Sequence, residues 1–258
     1  IKMVTADPTL FFVGKDPKHF LRFKPNLGDR FYNQIDFMFD HEGNIYWFGF
    51  YSNKKYYQQA GSFFIKINAD RTRILEKKIQ PFEEKLLKKL LAKKRLPKKF
   101  PETRNFKLTQ FRLAANGDLV ISAEHQPYGV SNFKSHSLLV MRLSASGEIR
   151  WAKHIFKYNS FPDKYKPFLS HYMYLHQDKI YLLFNRGIYK DLGKAVVIEL
   201  DANGTIQEKE IFSYDKQTEV ICPTLSYPLQ DGKIFLNLQS RFFKYYSFGI
   251  LNLPKLFE

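Results

Sequence analysis

The chain has 258 residues, of which 44% are hydrophobic and 17% aromatic, and it carries a formal net charge of +16. This composition excludes a disordered chain. The single cysteine, Cys222, excludes an internal disulfide and a cysteine-based zinc cluster, and the lack of any run of about 18 apolar residues leaves no transmembrane helix.

The charge points to a polyanion (nucleic acid, anionic lipid, acidic glycan or an acidic protein) or to a surface that is simply solvated by lysine. At this length roughly three quarters of the unfolded surface is buried on folding. A chain that opens on Ile1 rather than Met reads as processed or trimmed.

The first element in chain order is a hairpin over residues 9–24, LFFVGKDPKHFLRF. A first repeat follows at 35–80: IDFMFDHEGNIYWFGFYSN, then GSFFIKINADRTRILEKKI. Strand, tight turn, strand, looser loop, strand, tight turn, strand is its grammar. Val, Ile, Phe and Tyr fill the strands, and Gly, Asn and Asp supply turns that need positive φ.

The pattern then breaks at PFEEKLLKKLLAKKRLPKKF. Phe82, Leu86, Leu87, Leu90 and Leu91 recur at helical spacing. Pro81 opens the segment, Glu83 and Glu84 suit the positive end of the helix dipole, and Pro97 ends it. These features predict an amphipathic, basic helix over about 82–96. Its leucines either pack on the neighbouring sheets or lie on a membrane. In the second case Lys85, Lys88, Lys89, Lys93, Lys94 and Arg95 are the contacts to anionic lipid.

The strand grammar returns three times. Residues 107–156 hold FRLAANGDLVISAEHQ and HSLLVMRLSASGEIRWAKHI; 170–212 hold HYMYLHQDKIYLLFNR and GKAVVIELDANGTIQEKEI; 223–253 hold SYPLQDGKIFLNLQSR and YYSFGILNL. Four-stranded antiparallel units repeating at this interval predict an all-β chain, a β-propeller of four to five four-stranded blades in a single domain, 1–258. The last unit shows three strands. The hairpin 9–24 is expected beside 223–253, closing the ring and removing a sheet edge. With residues missing upstream, the ring is larger.

SASGEIRWAKHI (144–155) resembles the glycine-turn-then-tryptophan phrase of quinoprotein-type propeller repeats. The overall pattern is similar to repeat propellers of secreted Bacteroidota-type proteins, which implies a bacterial periplasmic, cell-surface or secreted location. Only the second repeat has the tryptophan, Trp151, and Glu208 stands near that place in the third. The resemblance implies no quinone pocket.

No motif for catalysis stands out. GIYKDLGKA (187–195) is not a phosphate loop, since Ala195 takes the place of the magnesium-holding Ser or Thr. GxSxG and HExxH are absent. His171 and His176 are five apart on one strand and point to opposite faces. Glu124, His125 and His136 flank one loop and form the only acid–base or metal cluster the sequence offers. DANG (201–204) lacks the repeated carboxylates of a calcium loop, so no cofactor and no metal is expected. Asn203-Gly204-Thr205 is a glycosylation sequon only in a eukaryotic secretory pathway.

Aromatic and basic residues gather in the loops between second and third strands. These are Lys54, Lys55, Tyr56 and Tyr57, then Tyr128 and Phe133, then Tyr189 and Lys190, then Phe243, Lys244, Tyr245 and Tyr246. The expected function is a non-enzymatic binding or scaffolding propeller that presents this rim to a protein or an acidic glycan, with nucleic acid a weaker fit. The alternatives are a hydrolase or lyase acting on an acidic polysaccharide, and a membrane-peripheral protein docked by the helix.

Overall fold

The computed structural model describes residues 9–13, 20–24, 26–53, 58–90, 103–104, 106–125, 132–162, 166–189, 192–214, 219–240 and 245–258. The chain is all-β, of the β-propeller repeat class, with four four-stranded antiparallel sheets. Its contacts divide it into two compact units. One comprises 1–113, 117–121 and 141–152, and the other 114–116, 122–140 and 153–258.

In the first unit, β1 (Leu10–Val13) pairs antiparallel with β2 (Phe20–Phe23). The first four-stranded sheet follows from β3 (Phe31–Phe39), β4 (Ile45–Ser52), β6 (Gly61–Ile67) and β7 (Ile74–Pro81), in the order 3-4-6-7. Between them β5 (Gln58–Gln59) pairs with β8 (Thr103–Arg104). Every residue of β4 is buried, so both faces of this strand are covered. Leu27, Ile45, Trp47, Phe63, Ile65 and Ile67 form the core on one face, with Leu10, Phe12 and Phe23 packed against it. The N-terminal hairpin therefore sits on the first sheet.

The helix α1 runs Glu84–Leu90, within the expected 82–96, and residues 91–96 lie outside the described residues. It lays Leu86 and Leu87 inward beside buried Phe82. Lys88 pairs with Glu84 one turn back at 2.7 Å, and Lys85 and Lys89 face solvent.

The second sheet comprises β9 (Phe106–Leu113), β10 (Leu119–His125), β11 (Asn132–Leu143) and β12 (Ile149–Pro162). The division between the units passes through it. After the short helix α2 (Lys166–Leu169), the third sheet takes β13 (His171–His176), β14 (Lys179–Tyr189), β15 (Leu192–Leu200) and β16 (Ile206–Tyr214) in chain order. The fourth begins with two short strands, β17 (Val220–Ile221) and β18 (Tyr227–Pro228). Both pair with the same side of β19 (Lys233–Gln239), whose other side pairs with β20 (Tyr246–Asn252). Pro223 opens a single 3-10 turn that splits what would otherwise be one strand. The fourth unit is thus three strands wide, with the first in two pieces.

The recurring turn has one physical basis. At its start an Asp, Asn or Ser side chain accepts from the amide four residues on. Asp40 does so from Asn44 at 2.8 Å, Asn68 from Thr72 at 2.9 Å, Ser144 from Glu148 at 3.1 Å and Asp201 from Thr205 at 2.8 Å. The side chain closes the corner that the backbone leaves open. At Gly147 (φ +85) a side chain is also excluded by space, because a Cβ there would lie 1.9 Å from the Phe64 ring.

Candidate functional site

The sequence drew attention to Glu124 with His125 and His136, and the structure groups Glu124 differently. Glu124 and His125 are successive residues of β10, so their side chains leave opposite faces. Glu124 turns inward, where Lys157 Nζ donates to it at 2.6 Å and His171 Nδ1 lies 3.9 Å away. The ammonium group of Lys157 also donates to the carbonyls of Leu169 and, at 2.9 Å, Ser170. All three of its donors are thereby used. His171 Nε2 meets Ser122 Oγ at 2.8 Å.

The electrostatics follow from the enclosure. Burial works to raise the Glu124 carboxyl, but the Lys157 charge and His171 outweigh it and hold the group at about 2. Burial pulls His171 below its ordinary value and keeps the imidazole neutral. Burial also pulls Lys157 down while Glu124 pulls it back. A 2.6 Å contact plus two carbonyl acceptors favours the charged ammonium. The side chains are 0–4% exposed, so no substrate reaches them. This cluster holds β10, β12 and β13 of the second unit together. The acid–base or metal cluster that the sequence offered is corrected on that ground: Glu124 is spent on a buried ion pair. Among the described residues no group of three or more His, Cys, Asp or Glu is placed to hold a metal.

Of the expected rim, Lys54, Lys55, Tyr56, Tyr57, Tyr128, Lys190, Phe243 and Lys244 lie outside the described residues. Phe133 is in β11 and Tyr189 ends β14. Tyr245 and Tyr246 stand exposed at the start of β20. The helix cations Lys93, Lys94 and Arg95 also lie outside the described residues.

The second unit has an open cleft of about 580 Å³ that the sequence did not signal. β12 lines one side with Phe156 and Tyr158, exposed and stacked on each other at 6.0 Å and 16°. Tyr158 has φ +48, a left-handed conformation that a non-glycine residue keeps only when its surroundings impose it. The surroundings here are two buried neighbours. Lys157 is fixed as above, and the Asn159 amide donates to the Asn185 carbonyl at 2.6 Å while accepting from the Ile188 amide at 3.1 Å. The inward pull on Lys157 and Asn159 turns both aromatic rings outward.

β14 and β15 form the floor. Their ladder is regular to Arg186 opposite Lys194 and then shifts register before Tyr189. The bulge is carried by Gly187 (φ +67), where a Cβ would meet nothing within 4 Å. Behind it, buried Asn185 donates to the carbonyls of Phe168 and Ile221, each at 2.8 Å, and accepts from the Tyr214 hydroxyl. A fully satisfied buried amide of this kind fixes the floor.

The polar face of the cleft holds two cations directly across from each other, Arg186 and Lys194, with Ser213 next in the row on β16. Arg186 pairs with Glu208, and Lys194 with Glu210 at 2.8 Å. Hydrogen bonds from Lys194 and Ser213 hold the Glu210 carboxyl below its ordinary value. Arg186 Nε is buried and, among the described residues, has no acceptor. Stacking rings, two cations and an ionised carboxylate around one open space are groups that bind sugars and sugar acids.

No protein-family model matches the chain, and no curated protein matches it. Solved structures do resemble it. One is a GH43_1 enzyme from Xanthomonas citri complexed with xylotriose, 8% identical over 86% of this chain and 70% of that one, with a TM-score of 0.33. Another is an α-L-arabinofuranosidase of GH43 type from Clostridium thermocellum, 13% identical over 81% and 61%, with a TM-score of 0.33. A third is a GH43 β-1,3-galactosidase, 12% identical over 83% and 44%, with a TM-score of 0.35.

The chain has the repeated four-stranded antiparallel sheets of a β-propeller repeat fold. It spans less than two thirds of the arabinofuranosidase and galactosidase chains. The likeness is one of strand arrangement, and no residue of those enzymes is carried over. The expectation of a non-enzymatic scaffold rested on a propeller bearing a basic, aromatic surface. It is withdrawn, since the solved structures that resemble this chain are named as glycoside-acting enzymes. Among the described residues no helix is long and apolar enough to cross a membrane.

Proposed function

We propose that the protein cleaves an acidic polysaccharide bound in the cleft of its second unit. The observation that carries this reading is the juxtaposition of the exposed Phe156–Tyr158 stack with the cross-strand cations Arg186 and Lys194. Sugar rings offer C–H faces to aromatic faces, and a uronate carboxylate competes with Glu208 and Glu210 for the two cations. Net charge of +16 draws such a polymer to the protein before it docks.

Glu210 is the base in this reading. Its carboxyl is ionised at neutral pH, and once the uronate takes Lys194 the oxygen that Lys194 held is free to accept a proton. In hydrolysis it takes a proton from a water whose oxygen bonds to the anomeric carbon as the glycosidic C–O bond breaks, and the leaving oxygen takes a proton from solvent. In elimination it takes the C5 proton next to the uronate carboxylate, whose charge Arg186 and Lys194 neutralise, while the bond from C4 to the glycosidic oxygen breaks, a C4–C5 double bond forms and the leaving oxygen takes a proton from solvent. Acidic polysaccharides of this kind are met outside the cytoplasm, so the proposed location is extracytoplasmic, with the repeats forming one propeller domain.

The test is incubation with polygalacturonate and, separately, with neutral xylan. Shortening of the acidic polymer alone is expected, abolished in Glu210→Gln while binding persists. A new unsaturated end marks elimination, and a saturated reducing end marks hydrolysis. An intact acidic polymer, or equal cleavage of the neutral one, overturns the proposal.

A further inference from the structure

The strand β16 carries an irregularity beside the cleft. Val196 on β15 faces Glu210 and Ala195 faces Phe212, so Ile211 has no partner across that ladder. This is a β-bulge, two residues on one strand against one on its neighbour. On a regular strand, residues three apart leave opposite faces. With Glu210 set against Val196, a regular β16 would put Phe212 against Lys194 and turn Ser213 to the other face. The extra residue moves the alternation on by one place. Ile211 and Phe212 both pack against the core of the second unit. Glu210 and Ser213, on either side of them, both line the cleft.

The two polar side chains meet there. The Ser213 hydroxyl donates to Glu210 Oε1 at 2.5 Å, a charge-assisted contact by its length. Lys194 Nζ lies 2.8 Å from the other oxygen, Oε2. Each oxygen of the carboxylate therefore has its own donor, and the two donors answer differently to a substrate. Lys194 is a half-exposed cation that a uronate draws away. Ser213 is neutral and shares a strand with Glu210, so an anion competes for it less strongly.

We propose, on the reading of Glu210 as the base, that Ser213 is a positioning residue: it holds Oε1 of Glu210 so that Oε2 stays aimed into the space that Lys194 leaves. Without a second donor, a carboxylate released by Lys194 turns freely about its terminal bond. With Oε1 held, it presents one oxygen in one orientation to the proton of C5 or of the water. That proton passes to Oε2, and Ser213 keeps its own. The bulge is what aims the base, as bulges beside active sites re-aim side chains elsewhere. Ser213 also acts on the charge: after Lys194, it is the next group that holds the Glu210 carboxyl below its ordinary value. Its removal therefore leaves a mark beyond lost rate.

The test compares the wild type, Ser213→Ala and Ser213→Thr on polygalacturonate, with a carboxyl-carbon NMR titration of Glu210 in each protein without substrate. Ser213 is exposed, so Ser213→Ala is expected to keep the wild-type thermal midpoint. It is expected to keep KM and to lose about tenfold in kcat. Glu210 is expected to titrate at higher pH in that variant, and the acid limb of kcat/KM to move up with it. Ser213→Thr keeps the hydroxyl and is expected to restore the rate, the titration and the limb. A Glu210 titration that alanine leaves unmoved overturns the proposal. So does full kcat in Ser213→Ala, a raised KM at unchanged kcat, or a threonine no better than alanine. A wild type that leaves the polymer intact, or a Glu210→Gln that still cuts it, overturns the cleavage reading and the role of Ser213 with it. A wild type that cuts, matched by Ser213→Ala, overturns the role of Ser213 alone.

Discussion

Lys157 lies with its ammonium 2.6 Å from the Glu124 carboxylate, and neither side chain is more than 4% exposed. Removing one partner leaves a buried charge alone. Lys157→Met is therefore expected to destabilise the protein by about 3 to 5 kcal/mol, while Lys157→Met with Glu124→Leu recovers most of the loss. Chemical denaturation of the single and double variants checks this.

The same cluster sets an acid limit. Glu124 and His171 both have folded-state proton affinities below their ordinary values of 4.5 and 6.5. Each binds fewer protons folded than unfolded, so stability falls as pH falls. The His171 share is full above pH 6.5 and declines below it. The Glu124 share is full above 4.5 and is lost on the way to about 2. Urea midpoints measured from pH 8 to about pH 2.5 are expected to drop in that order, and His171→Gln is expected to remove the first step. A midpoint that is flat between pH 7 and 5 in the wild type contradicts the assignment.

Tyr158 keeps its left-handed backbone at a cost of about 1 kcal/mol or more. Tyr158→Gly is expected to raise stability by about 1 kcal/mol, because glycine adopts that conformation freely, and to weaken sugar binding as half of the ring stack is lost. Thermal melting and a glycan titration on the same sample measure both effects. A variant that loses stability shows that the ring, not the backbone, is what the fold needs there.

Gly147 tolerates no side chain, since φ is +85 and Phe64 fills the space. Gly147→Ala is expected to cost about 3 kcal/mol or more, from backbone strain and from displacing a buried ring in the first unit. Gly187→Ala carries a similar backbone penalty without the clash, so its cost is expected nearer 1 kcal/mol. Comparing the two thermal midpoints separates space from conformation.

The fold was legible because the turns are local. Asp40, Asn68, Ser144 and Asp201 each close a corner with an amide four residues on, and local chemistry shows in a short window of sequence. The cleft was not legible, because its polarity is inverted. Along Ile155–Asn159 the lysine and the asparagine point in and the aromatics point out. A pattern reading places Phe156 and Tyr158 in the core, and it ends the strand near Ile155 although β12 runs to Pro162. The cause of the inversion lies 33 residues back, at Glu124. Glu124 itself was singled out, but its partners came from other strands, and His125 beside it faces away. The helix read correctly in type: its described turns bury leucines, as amphipathic spacing implies.

The account stands most directly on the cleft's preference for anionic sugar. A calorimetric titration with an oligogalacturonate and with a neutral oligosaccharide of equal length, on the wild type and on Arg186→Ala/Lys194→Ala, measures it. The account predicts that the wild type binds the acidic ligand at least tenfold more tightly, about 1.4 kcal/mol. It also predicts that added salt and the double substitution each erase the difference, with stability changed by no more than about 0.5 kcal/mol. Equal affinity for the two ligands, or an acidic preference that survives loss of both cations, contradicts it.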